Sequence, residues 1–256
     1  MQVFRKIFMS KIIAIVNHKG GVGKTTTTLN LGKYLVMQGK KVLMLDLDPQ
    51  ANLSQSLGII PQKTIFTAFT QGTDLPIHQI EHNWSIVPSE LALSDASNLI
   101  RNEINGYFKV KKLLDKIADQ YDIILMDCPP SLEILTINAL IAANFVLIPS
   151  QAEILSVKGI QTTIDAVEQI QQNLNIGLKI LGTLMTRIDA RTAIHRDIIS
   201  SLKTENQIYV FKSYIRQNIA LTEATYVCKD IFSYNSAAHG AEDYSNFGKE
   251  FLLKIG

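Results

Sequence analysis

Eight residues, Lys19-Gly20-Gly21-Val22-Gly23-Lys24-Thr25-Thr26, hold two lysines, three glycines and two threonines. Glycines let a backbone turn tightly and aim successive N–H groups inward, which makes a concavity suited to an anion. A lysine closing such a loop reaches the β- and γ-phosphates of a nucleotide, and the hydroxyl after it binds Mg²⁺. Lys24 and Thr25 stand in those positions. The usual G-x-x-x-x-G-K-[ST] spacing asks for glycine at position 18, where this chain has His18. The stretch is therefore a variant phosphate loop with an added Lys19 at its start. As a mere basic turn it would need neither a strand before it nor a helix after it, and both are expected here.

Three carboxylates complete a plausible phosphoryl-transfer site. Asp46 and Asp48 follow the apolar run Val42 to Leu45, and Asp127 follows Ile123 to Met126. Carboxylates at the C-terminal ends of buried strands sit where open α/β sheets hold their ligands. Strand alternation points Asp46 and Asp48 to one side, one toward the loop or metal and the other toward the γ-phosphate. Asp127, with Pro129 and Pro130 stopping the strand behind it, has the form of an Mg²⁺-holding Walker B aspartate.

The elements that position these groups follow from periodicity. Ile12 to Val16 reads as a buried strand and Thr25 to Gln38 as a helix stopped by Gly39. Further strands are expected at Trp84 to Pro88, Asn144 to Pro149, Lys179 to Met185 and Val210 to Ile215. Helices are expected at Leu91 to Ala118 (interrupted near Gly106), Val157 to Leu174, Ala193 to Lys203 and Gly240 to Leu253. Residues 51–83 are polar and mixed. Strands alternating with helices predict an α/β protein: a mainly parallel twisted sheet with helices on both faces. The lone Trp84 reads as packing and Cys128 as a small buried residue.

The 256 residues carry a formal net charge of +2 and are 46% hydrophobic, which excludes a disordered chain and does not by itself announce a nucleic-acid binder. No repeat, linker or low-complexity tract divides them, so residues 1–256 are expected to form one domain, with 1–10 a flexible extension. Cys128 and Cys228 give neither metal-site spacing nor a disulfide framework, and a reducing cytosol is the simple reading. No apolar run is long enough to span a membrane, and residues 1–10 lack the apolar core of a signal peptide. Met9 is a candidate second start.

Taken together, Lys19 to Thr26, Asp46-Leu47-Asp48-Pro49-Gln50-Ala51-Asn52 and Met126-Asp127-Cys128-Pro129-Pro130-Ser131 resemble the ParA/Soj chromosome- and plasmid-partitioning ATPases. These belong to the deviant Walker A group, which also contains MinD. Looser likeness continues into Leu132 to Leu140, Asp189-Ala190-Arg191-Thr192 and Ile215 to Ala224. The resemblance implies a P-loop ATPase that uses ATP and Mg²⁺ as a switch and forms a sandwich homodimer with ATP. Lys19 would cross to the partner's phosphates, while Gly20, Gly21, Val22, Gly23, Lys24, Thr25 and Thr26 cradle the chain's own. Thr25, Asp127 and Asp48 would serve the metal, and Asp48 would position the attacking water. Adenine contacts are implied at Met185, Arg187, Ile215 and Arg216.

Family dimers bind DNA without sequence specificity. The window from Arg187 to Lys229 holds seven lysines and arginines against four carboxylates up to Glu223, a modest excess. Arg191 matches a DNA-contact arginine, and Arg216, Lys212 and Lys229 are further candidates. At Ala220 the chain lacks an arginine that Soj-type relatives commonly carry. The resemblance also implies slow turnover stimulated by a ParB-like centromere-binding adaptor, a cytoplasmic, nucleoid-associated location and no membrane partner. A MinD-like membrane ATPase is the alternative, and it would need a basic amphipathic C-terminal helix. An iron–sulfur reductase would need differently spaced cysteines, and a module that binds without hydrolysing would have no use for Asp48.

Overall fold

The computed structural model describes residues 10–153, 156–189, 191–192, 202 and 209–256. In chain order its elements are β1 (Lys11–Ile15), α1 (Lys24–Met37), β2 (Val42–Asp46), α2 (Asn52–Gln55), α3 (Ile65–Gln71), β3 (His78–Glu81) and β4 (Trp84–Val87). There follow α4 (Leu93–Arg101), α5 (Lys109–Leu114), β5 (Ile123–Asp127), α6 (Ile134–Ala142), β6 (Phe145–Gln151) and α7 (Ser156–Asn173). The chain then forms β7 (Lys179–Ile188), β8 (Val210–Arg216), α8 (Ile219–Tyr226), α9 (Ile231–Asn235) and α10 (His239–Ile255). The helix expected at Ala193 to Lys203 lies outside the described residues save for Leu202, as do residues 1–9.

The strands form one sheet in the order β3-β4-β2-β5-β1-β6-β7-β8. Among the described residues only the β3–β4 hairpin is antiparallel; the other neighbouring pairs are parallel. Strands β2 and β5 are buried along their whole length, as central parallel strands must be when helices cover both faces. Accordingly the core is two-sided. Ala14, Leu43, Leu45, Ile124, Met126 and Ile148 point to one layer, shared with α4, α6 and α7. Ile13, Ile15, Met44, Leu125 and Leu147 point to the other, under α1 and α10. Each fully buried aliphatic side chain there contributes roughly 1.5–3 kcal/mol.

The register sets the site. Ile15 on β1 lies opposite Asp127 on β5, and Asp127 lies opposite Asp46 on β2. Three central strands therefore end level, and the loops after them converge.

The stretch Leu91 to Ala118 is interrupted near Gly106, as expected: it forms two helices, α4 and α5, with a 3₁₀ turn at Gly106–Phe108 between them. Gly106 permits the close turn. A Cβ there would lie 1.7 Å from the carbonyl oxygen of Ile100, so the chain folds back on the end of α4 at a distance only glycine allows. Strand β7 runs on to Ile188, three residues past its expected end. Trp84 does pack: it is 2% exposed, with the Lys33 ammonium 5.3 Å from its ring centre.

Candidate nucleotide-binding site

Between β1 and α1 the glycine loop turns through left-handed backbone at Gly21 (φ 75°) and Gly23 (φ 88°), conformations that side-chain-bearing residues seldom hold. Gly23 is also the N-cap of α1, so the positive end of a 14-residue helix opens into the loop. Lys24 is only 7% exposed, and its Nζ donates to the carbonyls of Asn17 and Lys19, both at 3.1 Å. Among the described residues those carbonyls are its hydrogen-bond acceptors, and burial pushes the ammonium's pKa down against the pull of Asp127. A buried cation so placed is poised for an anion.

Side chains from the neighbouring strand ends grip the loop. Gln151 Nε2 donates to the Gly21 carbonyl at 2.7 Å, and Thr186 Oγ1 donates to the Val22 carbonyl at 2.8 Å. Asn17 Nδ2 donates to the Pro149 carbonyl, while its Oδ1 accepts from the Lys19 N–H. None of these three was expected from the motif. Their position at the C-terminal ends of β1, β6 and β7 is the signal that finds them. The Lys19 ammonium pairs with Glu153 at the rim, and its side chain is 35% exposed.

Asp127 is fully buried, and two threonines of α1 address it. Thr25 Oγ1 donates to Oδ2 at 2.7 Å, and Thr28 Oγ1 reaches Oδ1 at 3.5 Å. Burial, followed by repulsion from Asp46, raises the pKa of Asp127 well above the ordinary carboxylate range. A divalent cation would favour its ionised form against that burial and repulsion. The hydroxyl–carboxylate pair suits Mg²⁺, which takes one or two protein oxygens and completes its shell with water and phosphate. No cluster of three acidic, histidine or cysteine ligands occurs among the described residues, so an all-protein metal cage is not what this site offers.

Asp46 departs from expectation. Although it ends β2, it faces neither the glycine loop nor Thr25: Oδ2 accepts from the N–H and hydroxyl of Ser54, and Oδ1 accepts from the Asp48 N–H. Asp48 lies beyond the strand, in a turn closed by the Ala51 N–H on its carbonyl, so strand alternation does not govern it. Its Oδ1 accepts from Gln50 N–H at 2.9 Å. Among the described residues, its Oδ2 has no hydrogen-bond partner. Cys128 is buried, as expected, and burial pushes its thiol pKa up.

Beside the glycine loop a cleft of about 860 Å³ is lined by Gly23, Thr26, Thr186, Arg187, Ile215 and Arg216, with α8 as its far wall. Of the adenine candidates, Arg187, Ile215 and Arg216 line it. Met185 does not: the extra length of β7 puts it inside the strand, 1% exposed and in the core beneath α7, and alternation gives its place to Thr186. The DNA candidates are dispersed. Arg191 is 90% exposed and pairs with its neighbour Asp189, and Lys229 is exposed beyond α8. Lys212 and Arg216 lie along β8 in a second groove, against α10. Arg216 is enclosed there by Asp243 and Glu242, each 2.6 Å from Nη2.

Comparison with known proteins gives this geometry its family. Residues 10–180 match the AAA domain family. The chain is 36% identical over 255 residues to the chromosome-partitioning ATPase Soj of Treponema pallidum, covering 97% of this chain and 99% of that one. It is 38% identical to the sporulation initiation inhibitor protein Soj of Bacillus subtilis, covering 94% and 98%. Among solved structures, a plasmid partition protein of Borrelia burgdorferi bound to AMPPNP superposes with a TM-score of 0.81 at 28% identity, over 96% of this chain and 100% of that one. Cobyrinic acid a,c-diamide synthase of Mycobacterium smegmatis, holding ADP and magnesium, superposes with a TM-score of 0.85 at 29% identity, over 96% of each chain. With its variant glycine loop, buried Walker B aspartate and near full-length likeness to Soj, the chain belongs to the ParA/Soj family of partitioning ATPases.

Proposed function

We propose that this protein is an ATP-driven partitioning switch: with ATP and Mg²⁺ it closes into a sandwich homodimer, binds DNA without sequence preference and releases it on hydrolysis. The observation that carries the reading is the pair of lysines on one loop. Lys24 is buried inside the loop that receives the phosphates. Lys19 stands at the rim, held by Glu153, where the ammonium is free to exchange that carboxylate for a phosphate of a second copy. Exposed apolar side chains lie on the same rim, with Ile219 71% and Tyr226 88% exposed at the mouth of the cleft. A second copy would cover them.

Each residue then has a task in phosphoryl transfer, where positioning and charge neutralisation do most of the work. Backbone N–H groups of Gly20 to Thr25 orient the phosphates, and Lys24 neutralises them. Thr25 and Asp127 would hold the Mg²⁺, which spreads the phosphate charge and aligns the leaving group. The open oxygen of Asp48 aims the attacking water. Lys19 from the partner makes closure depend on the γ-phosphate, which is the differential contact that a switch requires. Arg191, Lys212 and Lys229 supply DNA contacts that dimerisation doubles, and a ParB-like adaptor stimulates hydrolysis at the nucleoid.

The test is DNA binding on unrelated duplexes with ATP, with ADP and without nucleotide, beside a Lys19→Ala variant. The reading expects binding only with ATP, indifferent to sequence, weakened by salt and lost in the variant. A protein that dimerises with ATP yet ignores DNA overturns the DNA arm of this reading and redirects attention to vesicle binding.

A further inference from the structure

Ser54 lies in α2, away from the glycine loop in sequence, and is 2% exposed. Its hydroxyl is bonded on both sides. Oγ donates to Asp46 Oδ2 at 2.7 Å and accepts from the Ser89 N–H at 3.0 Å. Its own N–H donates to the same Asp46 oxygen at 2.9 Å. The other Asp46 oxygen accepts the N–H of Asp48 at 3.2 Å. A continuous path of hydrogen bonds thus runs from Ser89, just beyond β4, through Ser54 and Asp46, to the backbone of Asp48.

The path matters because of what Asp46 is. A carboxylate only accepts hydrogen bonds, so its donors set its orientation. Asp46 is fully buried, opposite Asp127 in the sheet register, and nothing cationic touches it among the described residues. Ser54 supplies two of its three donors. The third is Asp48 itself, which is the group being positioned. Without the serine hydroxyl, Asp46 loses a donor and the buried Ser89 N–H loses its acceptor, so two constraints on the loop fail together.

We propose that Ser54 is a positioning residue for ATP hydrolysis: through Asp46 it holds the backbone of Asp48, and hence the open carboxylate oxygen, in line with the attacking water. The inference deepens the hydrolytic role given to Asp48 and rests on it. Among the described residues Ser54's hydrogen bonds to the site go through Asp46 and not to the glycine loop or Thr25, so its influence falls on the chemical step and leaves phosphate binding alone.

The test uses the full chain. Steady-state ATP turnover with Mg²⁺, the dissociation constant of a fluorescent ATP analogue and a thermal melt are compared for wild type, S54A, S54T and S54C. A small misplacement in a catalytic geometry costs orders of magnitude in rate, so S54A is expected to lose about tenfold or more in kcat. Its analogue affinity is expected to stay within about twofold of wild type, because uniform binding is untouched. S54T restores the hydroxyl and returns kcat to within about threefold, while S54C, a weak donor of similar size, falls between. S54A turning over ATP like wild type overturns the proposal, and so does affinity falling in step with kcat, or S54T as impaired as S54A. Should S54A fail to fold, S54C decides, and full turnover in S54C overturns it. Wild-type protein that turns over no ATP would sink the ATPase reading and this inference together; wild-type turnover matched by S54A sinks the inference alone.

Discussion

Lys24 shows how a residue can be costly to the fold and necessary to the site. Its ammonium is buried, its pKa is pushed down by that burial, and its hydrogen bonds go to two loop carbonyls. Lys24→Ala removes a poorly solvated charge from the nucleotide-free protein and the main positive group from the phosphate site. The expected result is a melting temperature no lower than wild type, together with a loss of about 100-fold or more in ATP affinity, read by titration with a fluorescent ATP analogue. A variant that melts much lower would show that the lysine holds the loop together. Thr25→Ala makes the complementary case. It deletes the 2.7 Å bond to Asp127 and the oxygen proposed for the metal, so Mg²⁺ should no longer tighten nucleotide binding, by about 10- to 100-fold. Lys24, Thr25 and Asp127 were legible in the sequence because their spacing is local or sits at the end of an apolar run. Asp46 was misjudged and Ser54 missed because their partnership depends on a turn beyond β2 that alternation does not describe.

At the level of elements, α10 closes the β8 edge of the sheet with carboxylates. Glu250 accepts from Tyr209 Oη at 2.6 Å and from the N–H groups of Lys212 and Ser213 at 2.8 Å, while Asp243 accepts the N–H of Arg216. Edge-strand donors are thereby taken, which removes a template for aggregation. Partial burial alone would raise the Glu250 pKa; the bonds from Tyr209, Lys212 and Ser213 outweigh it and hold the group below its ordinary value. A depressed folded-state pKa means stability that is present above the unfolded-state value, near 4.5, and lost as pH falls through the folded-state value. Glu250→Gln should therefore cost about 0.5–1 kcal/mol at pH 7, after discounting for its solvent exposure, and less at pH 4, where the wild type has itself begun to lose the latch. Urea unfolding at the two pH values reads the difference, and an equal loss at both would refute the assignment. The central strands and the long helices α1, α7 and α10 were readable from period, whereas α2, α3, β3, α6, α8 and α9, which are short or carry no clear period, were not. The break at Gly106 was flagged but not its extent, because the 1.7 Å approach to Ile100 is a tertiary contact. The true end of β7 was not readable either, since Thr186 and Ile188 continue a strand pattern that no breaker residue stops.

For the whole molecule, the question is which cations remain available to a polyanion once the chain has folded. The sequence window counts Arg191 and Arg216 alike. Folding separates them: Arg191 is 90% exposed and, among the described residues, pairs with one neighbouring carboxylate, whereas Arg216 is 31% exposed and held by two, one of them the nearly buried Asp243. Releasing Arg216 to a phosphate would strand Asp243, so its charge is already spent within the β8–α10 contact. Arg191 gives up only a surface pair, worth little in water. In the proposed ATP-bound dimer each substitution would act twice. Arg191→Ala is then expected to weaken DNA binding about tenfold or more and to flatten the salt dependence, because each phosphate contact contributes about 0.9 to the slope of log affinity against log salt. Arg216→Ala is expected to lower the melting temperature while leaving that slope within about half a unit of wild type. Salt titrations of both variants on one unrelated duplex decide the point. A slope that falls for Arg216→Ala and holds for Arg191→Ala would mean that the DNA runs along the β8–α10 groove, with the carboxylates there giving way to it.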